Sequence, residues 1–383
     1  MAKEKKKVLH MVEAMGGGVF TFIVELANGL CNDFDITIAF GMREETPKNY
    51  ADFFDNRIQL VEVKNFTRSL NPMKDLKAYL ELRKIVKDVQ PDIIHTHSSK
   101  AGAIGRFMFP GKCEKVLYTP HGYSFLMEGV SKNKRNLYKL IEKICGAKSN
   151  CITIACGESE WKQGLTVCKE STYISNGINM SKMDRILETL PLVGKNHPYT
   201  VYTLGRVTYQ KNPEMFNEIA KRLPDIRFVW IGAGELEDKL TAPNIFVTGW
   251  ADGDCRYDVA NAGDVFLLPS RWEGLPIALL EAMYMEKPCV VSNVIGNCDV
   301  IKNKVNGYMC NTVDEFVNAI EACRNYAQDN IIKEAKENIV YRHNFRHMQW
   351  NIVDFIAFYP YNIVVFIRCD HISVRSVSVG GNQ

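Results

Sequence analysis

The sequence lacks the features that define three common classes of protein. Its 383 residues include 12 cysteines, yet no two of them form a C-x-x-C pair, so neither a zinc ribbon nor a disulfide framework is expected. The 47 basic and 44 acidic residues leave a formal net charge of only +3, without the basic excess of a dedicated nucleic-acid-binding protein. We therefore expect no nucleic-acid partner, and we expect cysteines that pack in the core of a cytoplasmic protein.

Long apolar segments are also missing. No signal-type apolar segment precedes the first predicted strand, VLHMV. The longest late apolar run, IVDFIAFYPYNIVVFI, is interrupted by Asp354, Pro360 and Asn362 and is shorter than the roughly 20 residues that a membrane-spanning helix needs. The sequence therefore predicts no segment that crosses a membrane.

What the sequence does contain is a repeated alternation of short β-rich runs with helical segments, which is typical of βαβ units and parallel sheets. The alternation begins at KVLHMVE, passes through a polar stretch at residues 181–198, and starts again at YTVYTLGRV. This pattern predicts an α/β protein with two Rossmann-like domains, residues 1–190 and 191–345, that face each other across a ligand cleft. Residues 346–383 lack a clean helical period and are predicted to form an atypical tail.

The segment RWEGLPIALLEAM places two carboxylates, Glu273 and Glu281, eight positions apart around the start of a predicted helix. Pro276 suits the first turn of that helix, and the N–H groups near Gly274 and Leu275 are then available to an anion. The two carboxylates would flank this anion and accept hydrogen bonds from hydroxyl groups. A nucleoside diphosphate sugar has this arrangement of hydroxyls on both sides of a diphosphate.

Two carboxylates near a diphosphate require cations, and the segment LGRVTYQKN supplies Arg206 and Lys211 in a loop between a predicted strand and a predicted helix. Arg can hold two phosphate oxygens, whereas Lys acts as a point charge. A glycine-rich loop near the N-terminus, AMGGGVF, contains Gly16 and Gly17. It lacks the G-x-G-x-x-G spacing of dinucleotide-binding loops, which argues against an oxidoreductase.

Taken together and in this order, these segments resemble the retaining glycosyltransferases of family 4, which have the GT-B fold. Over residues 8–345, Glu273 and Glu281 match the E-x7-E motif of that family, GRVTYQKN matches its basic loop, and AMGGGVF matches its first glycine-rich loop. TPHGYSF matches the His-Gly segment of the N-terminal domain, and SNGIN matches the segment before the chain crosses between domains.

The resemblance implies roles for the two acidic residues and the loop between them. Glu273 is expected to contact hydroxyls of the donor sugar, and the N–H groups of Gly274 and Leu275 are expected to contact the phosphates. Glu281 is expected to hold the ribose. The donor is a UDP- or GDP-linked sugar, which serves as a co-substrate rather than a cofactor.

The remaining residues of the resemblance are expected to surround the reacting bond. Arg206 and Lys211 would bind the diphosphate, Gly16 and Gly17 would lie beneath it, and His121 would reach the donor sugar near the reacting carbon. The family is thought to react on one face of the sugar, a reaction that depends on positioning and charge stabilisation. No D-x-D metal motif stands at a comparable place, so the resemblance implies no bound metal.

The segments HTHSSKAG and SNVIGNCDVI are most similar to bacterial members that build capsule, O-antigen or other exopolysaccharide. The implied acceptor is a glycan or a polyprenyl-diphosphate-linked sugar. With a lipid-linked acceptor the enzyme would have to act at the inner leaflet of the plasma membrane. The N-terminal lysines and the helix LYKLIEKICGAK could dock there electrostatically.

Two other functions are compatible with the same fold. A nucleotide-sugar epimerase with the GT-B fold would act on the nucleotide sugar without an acceptor. A catalytically silent subunit would only bind a partner transferase or a lipid surface, although the filled motif positions argue against silence. His95 and His97 alternate on one predicted strand, but two histidines without a third ligand do not define a metal site.

Overall fold

The computed structural model describes residues 5–67, 71–109, 113, 115–147, 151–194, 197–250, 255–346, 348, 349, 352 and 353. The first four residues of the lysine-rich N-terminus and most of the predicted tail lie outside this set. The predictions about membrane docking by the opening lysines therefore concern in part residues that the structure does not describe, and the structure of residues 354–383 stays a prediction.

The N-terminal part forms a seven-stranded parallel sheet in the order β3-β2-β1-β4-β5-β6-β7. Its strands are β1 (Lys7–Val12), β2 (Asp35–Phe40), β3 (Gln59–Glu62), β4 (Ile93–His97), β5 (Lys115–Thr119), β6 (Cys151–Ala155) and β7 (Ser171–Tyr173). Its helices are α1 (Gly17–Leu30), α2 (Pro72–Val89), α3 (Ser99–Met108), α4 (Lys132–Gly146), α5 (Glu158–Gly164) and α6 (Met180–Thr189). The central strands are buried, as expected for a parallel sheet covered on both faces.

The C-terminal part forms a six-stranded parallel sheet in the order β10-β9-β8-β11-β12-β13. Its strands are β8 (Thr200–Leu204), β9 (Arg227–Ile231), β10 (Ile245–Val247), β11 (Val265–Leu268), β12 (Cys289–Ser292) and β13 (Tyr308–Cys310). Its helices are α7 (Pro213–Arg222), α8 (Cys255–Asn261), α9 (Ile277–Tyr284), α10 (Asn297–Val300), α11 (Val313–Asn325) and α12 (Asp329–Arg342). The predicted α/β architecture with two Rossmann-like sheets is confirmed.

Local sequence explains several helix starts. Asn71 caps α2 by accepting a hydrogen bond from the Lys74 N–H, and Pro72 occupies the first turn, where its missing N–H costs nothing. Thr312 caps α11 in the same way through the Glu315 N–H. The stretch at residues 181–198 was interpreted as polar and weakly patterned, but its first part belongs to α6, which buries Met183 and Ile186 on one face. The predicted domain limit near residue 190 follows this helix and stays a prediction.

The segment after α12 differs from the prediction. Residues 346–383 are predicted to form an atypical tail, yet Phe345, Met348 and Ile352 are buried in the hydrophobic cluster that also contains residues of α1 and β1. The Phe345 N–H donates to the carbonyl oxygen of Ile178, and the Ile178 N–H donates to that of His343. The spacing of these three residues, by three and then four positions, is that of one face of a helix, and Val353 packs against the same cluster. The prediction that this region lacks a helical period is therefore wrong at its start. The chain therefore crosses back at the start of the region that was predicted to be atypical.

The order of the strands determines where a ligand can bind. In each sheet the chain reverses its direction of winding between two neighbouring strands, β1 and β4 in one sheet and β8 and β11 in the other. Loops at the carboxyl ends of strands beside such a point form a crevice. No helix among the described residues is long and apolar enough to span a membrane. The cysteines that the structure describes form no disulfide with one another, and most of them are buried.

Candidate functional site

The predicted site residues lie in loops at the carboxyl ends of parallel strands from both sheets. Gly16 and Gly17 follow β1, His121 follows β5, Arg206 and Lys211 follow β8, and the segment 273–275 follows β11. The two domains touch at this place, because a Cβ atom on Gly274 would lie 2.9 Å from the Gly122 nitrogen and 3.0 Å from the His121 carbonyl carbon. Only glycine allows the backbones to approach this closely.

Lys211 and Glu273 form an ion pair, with 2.8 Å between Nζ and Oε1. Glu273 is 6% exposed, and a carboxylate at that depth requires a partner. Gln210 donates from Nε2 to Glu273 Oε2 at 3.3 Å and to the Trp272 carbonyl oxygen at 2.9 Å. The structure therefore brings together the carboxylate and the cation that the sequence assigned to the same ligand.

Glu281 lies on α9 and is also 6% exposed. Its Oε1 accepts hydrogen bonds from the Tyr257 hydroxyl at 2.8 Å and from Arg256 Nη2 at 3.0 Å. Burial and the nearby Glu281 carboxylate raise the pKa of Tyr257, so the phenol stays protonated and acts as a donor. Glu281 also lines a small cavity between the domains together with Glu25 and Lys182. The polar groups of Glu25, Lys182, Arg256 and Glu281 line this cavity beside apolar side chains, so a hydroxyl-bearing ligand would find both donors and acceptors there.

The loop before α9 is fixed from the N-terminal domain. Asn176, in the SNGIN segment, donates from Nδ2 to the Leu275 carbonyl oxygen at 2.9 Å, and its own carbonyl oxygen lies 2.9 Å from His343 Nδ1. On the other side of the loop, Ser159 Oγ donates to Asp299 Oδ2 at 2.7 Å and accepts from the Gly296 N–H at 3.1 Å. The Asn176 bond holds Leu275, and Gly296 packs against Gly274. The N–H groups of Gly274 and Leu275, which precede α9, are the predicted phosphate contacts.

Arg206 meets the N-terminal domain through Glu45, with 2.8 Å between Nη1 and Oε1. Glu45 also lies over the glycine-rich loop, since a Cβ on Gly16 would be only 2.3 Å from Glu45 Cγ. Gly17 has φ +56°, a left-handed conformation that favours glycine. Gly16 and Arg206 therefore border one space, which the Glu45 carboxylate occupies, and their predicted contacts with a diphosphate stay a prediction.

His121 is placed differently from the expectation that its ring reaches the donor sugar. Its Nε2 lies 3.1 Å from His97 Nδ1 and its Nδ1 lies 3.5 Å from the Cys156 thiol, so both ring nitrogens have partners within the N-terminal domain. Burial lowers the pKa of His121 to about 3, which keeps the ring neutral. In this arrangement the His121 backbone, rather than a ring nitrogen, faces Gly274.

Glu160 supports the same turn. Its carboxylate accepts hydrogen bonds from the Gly122 N–H at 2.6 Å and from the Cys156 N–H at 2.8 Å. The residue is fully buried, and burial raises the pKa of Glu160 to about 7 although both hydrogen bonds act in the opposite direction. Glu160 is thus a titratable group that contacts the residue next to His121.

His10 joins the two histidines that the sequence analysis singled out. His10, His95 and His97 each bring one ring nitrogen within 4.8 Å of the others, which is the spacing of a candidate metal site. Sequence reasoning missed His10 because it lies on β1, and only the pairing of β1 with β4 places it beside His95. The set contains neither a carboxylate nor a thiol, and His10 Nδ1 already lies 3.1 Å from His97 Nε2.

Four further residues of the site gave no local signal in the sequence. Glu45, Glu160, Arg256 and Tyr257 lie outside the matched motifs. The one available clue was the cost of burying Glu281 on an apolar helix, which implies a donor from another element without indicating which element provides it. Arg256 and Tyr257 meet this need from α8.

Comparisons with known proteins agree with the geometry. A family model described as Glycosyltransferase Family 4 matches residues 16–182, and one described as Glycosyl transferases group 1 matches residues 198–325. The UDP-Gal:alpha-D-GlcNAc-diphosphoundecaprenol alpha-1,3-galactosyltransferase of Escherichia coli is 33% identical over 327 residues, covering 75% of this chain and 79% of that protein. The O-antigen biosynthesis glycosyltransferase WbnH of Escherichia coli is 26% identical over 310 residues, covering 78% of this chain and 84% of that protein.

Solved structures show the same fold at low identity. Sucrose-phosphate synthase from Thermosynechococcus elongatus superimposes with a TM-score of 0.76 at 15% identity, covering 92% of this chain and 98% of that one. Anabaena HepE in complex with UDP and glucose superimposes with a TM-score of 0.71 at 14% identity, covering 92% and 99% of the two chains. Both likenesses support the two-domain architecture.

Proposed function

The chain belongs to glycosyltransferase family 4 and is a glycosyltransferase, and from this premise we propose that it moves a hexose, with retention of configuration, from a UDP-linked donor to a polyprenyl-diphosphate-linked acceptor in cell-surface polysaccharide synthesis. The UDP donor and the lipid-linked acceptor are those in the name of the Escherichia coli galactosyltransferase. The two alternatives, an epimerase and a silent subunit, gain no support from relatives that are named as transferases.

The observation that carries the proposal is the pairing of both predicted cations with carboxylates in the cleft. Arg206 and Lys211 each lie 2.8 Å from a carboxylate oxygen, and both sit beside the glycine-rich loop or the start of α9. A diphosphate would have to displace Glu45 from Arg206, whereas Lys211 is held at the start of the loop before α9 by its pair with Glu273.

In the proposed reaction the bond from the anomeric carbon to the diphosphate oxygen breaks, and the acceptor hydroxyl oxygen bonds to that carbon on the same face. The hydroxyl proton passes to the departing phosphate oxygen. Arg206 and Lys211 stabilise the charge that develops on the diphosphate, while Glu273 and Glu281 accept hydrogen bonds from the sugar and the ribose. Two fixed cations provide this stabilisation without a metal ion, so we propose metal-independent transfer.

To reach the proposed lipid-linked acceptor the enzyme must bind at a membrane surface, and α4 has a face suited to such binding. Leu137, Leu140 and Ile144 on this helix are 50%, 53% and 47% exposed, and the same helix carries Lys132, Lys134, Arg135, Lys139 and Lys143. An apolar face flanked by cations is typical of a helix that lies on an anionic membrane. We propose that α4 docks on the anionic inner leaflet and brings the cleft to its acceptor.

Transfer and its stereochemistry can be tested together. The enzyme is incubated in EDTA with UDP-galactose, UDP-glucose, GDP-mannose or ADP-glucose and a short polyprenyl-diphosphate N-acetylglucosamine acceptor, and the product is examined by proton NMR. We expect a UDP sugar to be consumed and the product to keep the α configuration of the donor. A β-linked product, or activity that requires an added divalent cation, would overturn the corresponding part of the proposal.

Membrane docking is tested separately with vesicles that contain phosphatidylglycerol. Leu140→Glu should reduce co-sedimentation, because it places an acid within the apolar face, whereas Leu80→Glu on α2, where Leu80 is 52% exposed, is the matched control. Wild-type binding should also weaken as salt is added. Binding that ignores both salt and the Leu140 variant would show that α4 is not the docking surface.

A further inference from the structure

Three histidines line one face of the N-terminal sheet behind the cleft. His10 on β1 lies opposite His95 on β4, and His97 is two residues further along β4, so all three side chains project from the same face. Each is 0% exposed. The ring of Phe22 on α1 packs against both His97 and His121, so α1 covers these rings.

Two of these histidines form a continuous chain of hydrogen bonds with His121. His121 Nε2 lies 3.1 Å from His97 Nδ1, and His97 Nε2 lies 3.1 Å from His10 Nδ1. At the other end, His121 Nδ1 contacts the Cys156 thiol. His95 stands beside the chain but bonds to Thr119 Oγ1 at 2.9 Å instead.

The hydrogen bonds that link His10, His97 and His121 couple the positions of the protons on the three rings. Burial lowers the pKa of His10 and His121 to about 3 and holds that of His97 well below its usual value, so all three rings are neutral. A neutral imidazole has one donor nitrogen and one acceptor nitrogen. The tautomer of His10 therefore sets that of His97, which in turn sets that of His121.

His121, the last of the three hydrogen-bonded histidines, lies where the two domains meet. His121 has φ +52°, a left-handed conformation that is unfavourable for a residue with a Cβ and persists only where the surroundings hold it. Gly122 follows with φ +96° and packs against Gly274. The ring of His121 is thus an anchor for a strained turn that contacts the predicted phosphate-binding loop.

We infer that His97 and His10 are positioning residues for sugar transfer, because their hydrogen bonds fix the ring of His121 and with it the His121–Gly122 backbone against Gly274. This inference rests on the proposed function, because the turn packs against Gly274, whose N–H is a predicted contact of the donor phosphates. Neither residue touches the substrate. Their effect is transmitted through His121.

The variants that test the inference exploit the two ring nitrogens of His97. The amide of Asn reproduces the position of Nδ1, and the longer amide of Gln reproduces that of Nε2. His97→Asn therefore keeps the bond to His121 and breaks the bond to His10, whereas His97→Gln does the reverse. His95→Asn, which breaks the bond to Thr119 and leaves the chain intact, is the matched control.

With UDP-galactose as the probe, His97→Gln should lower kcat by roughly 10- to 100-fold while the KM for the donor changes by less than about 3-fold, because misplacement near the reacting atoms costs rate. His97→Asn should fall between His97→Gln and the wild type, and His95→Asn should stay within about 3-fold of the wild type. A kcat that simply followed the melting temperature across all three variants would overturn the inference.

A second readout does not depend on activity. In protein labelled with ¹⁵N in the imidazole rings, NMR should show His121 as a single neutral tautomer in the wild type and in His95→Asn, and a changed or mixed tautomer in His97→Gln. An unchanged His121 spectrum in His97→Gln would show that His97 does not set the tautomer of His121, and it would contradict the inference. So would stoichiometric zinc in the purified protein, because a metal ion would occupy the nitrogens that the chain uses.

His121→Ala separates failure of this inference from failure of the proposed function. If His121→Ala transfers sugar like the wild type, the turn has no role in the reaction and the proposed placement of the donor is wrong. If His121→Ala is impaired while His97→Gln matches His95→Asn, the placement stands and only the positioning role of His97 and His10 is overturned.

Discussion

The C-terminal and N-terminal walls of the cleft are built from different chemistry. The C-terminal wall carries charged residues in pairs, Lys211 with Glu273 and Arg256 with Glu281. The N-terminal wall is backed by neutral rings, His97 and His121, that burial keeps uncharged. Fixed charges suit a diphosphate that gains charge as it departs, whereas neutral buried rings act through the backbone turn that they hold in place. We therefore propose that the cations of the charged wall stabilise the departing diphosphate, and that the His121–Gly122 turn, together with Glu273, helps to place the sugar.

The largest effect should come from breaking the charged wall at Lys211. Lys211→Ala is expected to lower kcat/KM for the UDP sugar by about 10²- to 10³-fold, as removal of a transition-state contact commonly does. The assay is release of UDP, with Lys221→Ala on the exposed face of α7 as the control. Because Glu273 loses its partner, Lys211→Ala should also unfold more readily.

The double variant Lys211→Ala with Glu273→Gln distinguishes these two consequences. It removes the unpaired carboxylate, so the melting temperature should recover in part while kcat/KM stays low. Activity that returned together with stability would mean that Lys211 serves the fold and not the leaving group.

A smaller effect tests whether the N-terminal wall remains neutral. Burial raises the pKa of Glu160 from 4.5 to about 7, so its contribution to stability is fully present below about pH 4.5 and is lost as the pH rises through 7. Glu160→Gln does not titrate. We compare the free energies of unfolding of the wild type and of Glu160→Gln. The excess of the wild-type value over that of the variant should decrease by about 2 to 3 kcal/mol between pH 5 and pH 8.

Urea unfolding at the two pH values measures this change. Glu158→Gln is the control, because Glu158 lies on the same helix with a side chain that is 51% exposed, and its difference from the wild type should be small at both pH values. A gap for Glu160→Gln that stays constant from pH 5 to pH 8 would show that Glu160 is ionised throughout and that this part of the wall is charged.

The smallest effect has the opposite sign. Glu45 occupies the space beside Arg206 and Gly16 that the diphosphate is proposed to enter, so a ligand must displace it. Glu45→Gln should therefore tighten UDP binding by roughly 2- to 5-fold, the range expected for a partly exposed ion pair, whereas Glu44→Gln at its exposed neighbour should have no effect. Weaker binding in Glu45→Gln would instead make Glu45 a substrate contact on an otherwise neutral wall.

The two walls also differ in how far the sequence predicted them. The C-terminal wall follows from local patterns: a strand, a loop with Arg206 and Lys211, and a helix that starts after Glu273. Because loops after parallel strands gather at one edge of a sheet, linear order was enough to bring these residues together. The partners of Glu281 were not predictable, since α8 and α9 meet only through the fold.

The N-terminal wall depends on contacts between distant segments. His10 and His97 are 87 positions apart in the chain, and nothing in either segment indicates that β1 and β4 are neighbours. The sequence placed His121 in a loop at a strand end but could not show where its ring turns, which depends on His97 and Cys156. The return of the chain at Phe345 was missed for the same reason, since its partners lie on α1 and β1.

The division of labour between the walls is tested most directly by titrating UDP into Lys211→Ala and His121→Ala in a calorimeter and measuring sugar transfer by the same preparations. We predict that Lys211→Ala binds UDP at least about 10-fold more weakly than the wild type, whereas His121→Ala binds UDP within about 3-fold of the wild type and yet transfers sugar at least about 10-fold more slowly. Loss of UDP binding in His121→Ala, with normal binding in Lys211→Ala, would contradict the account.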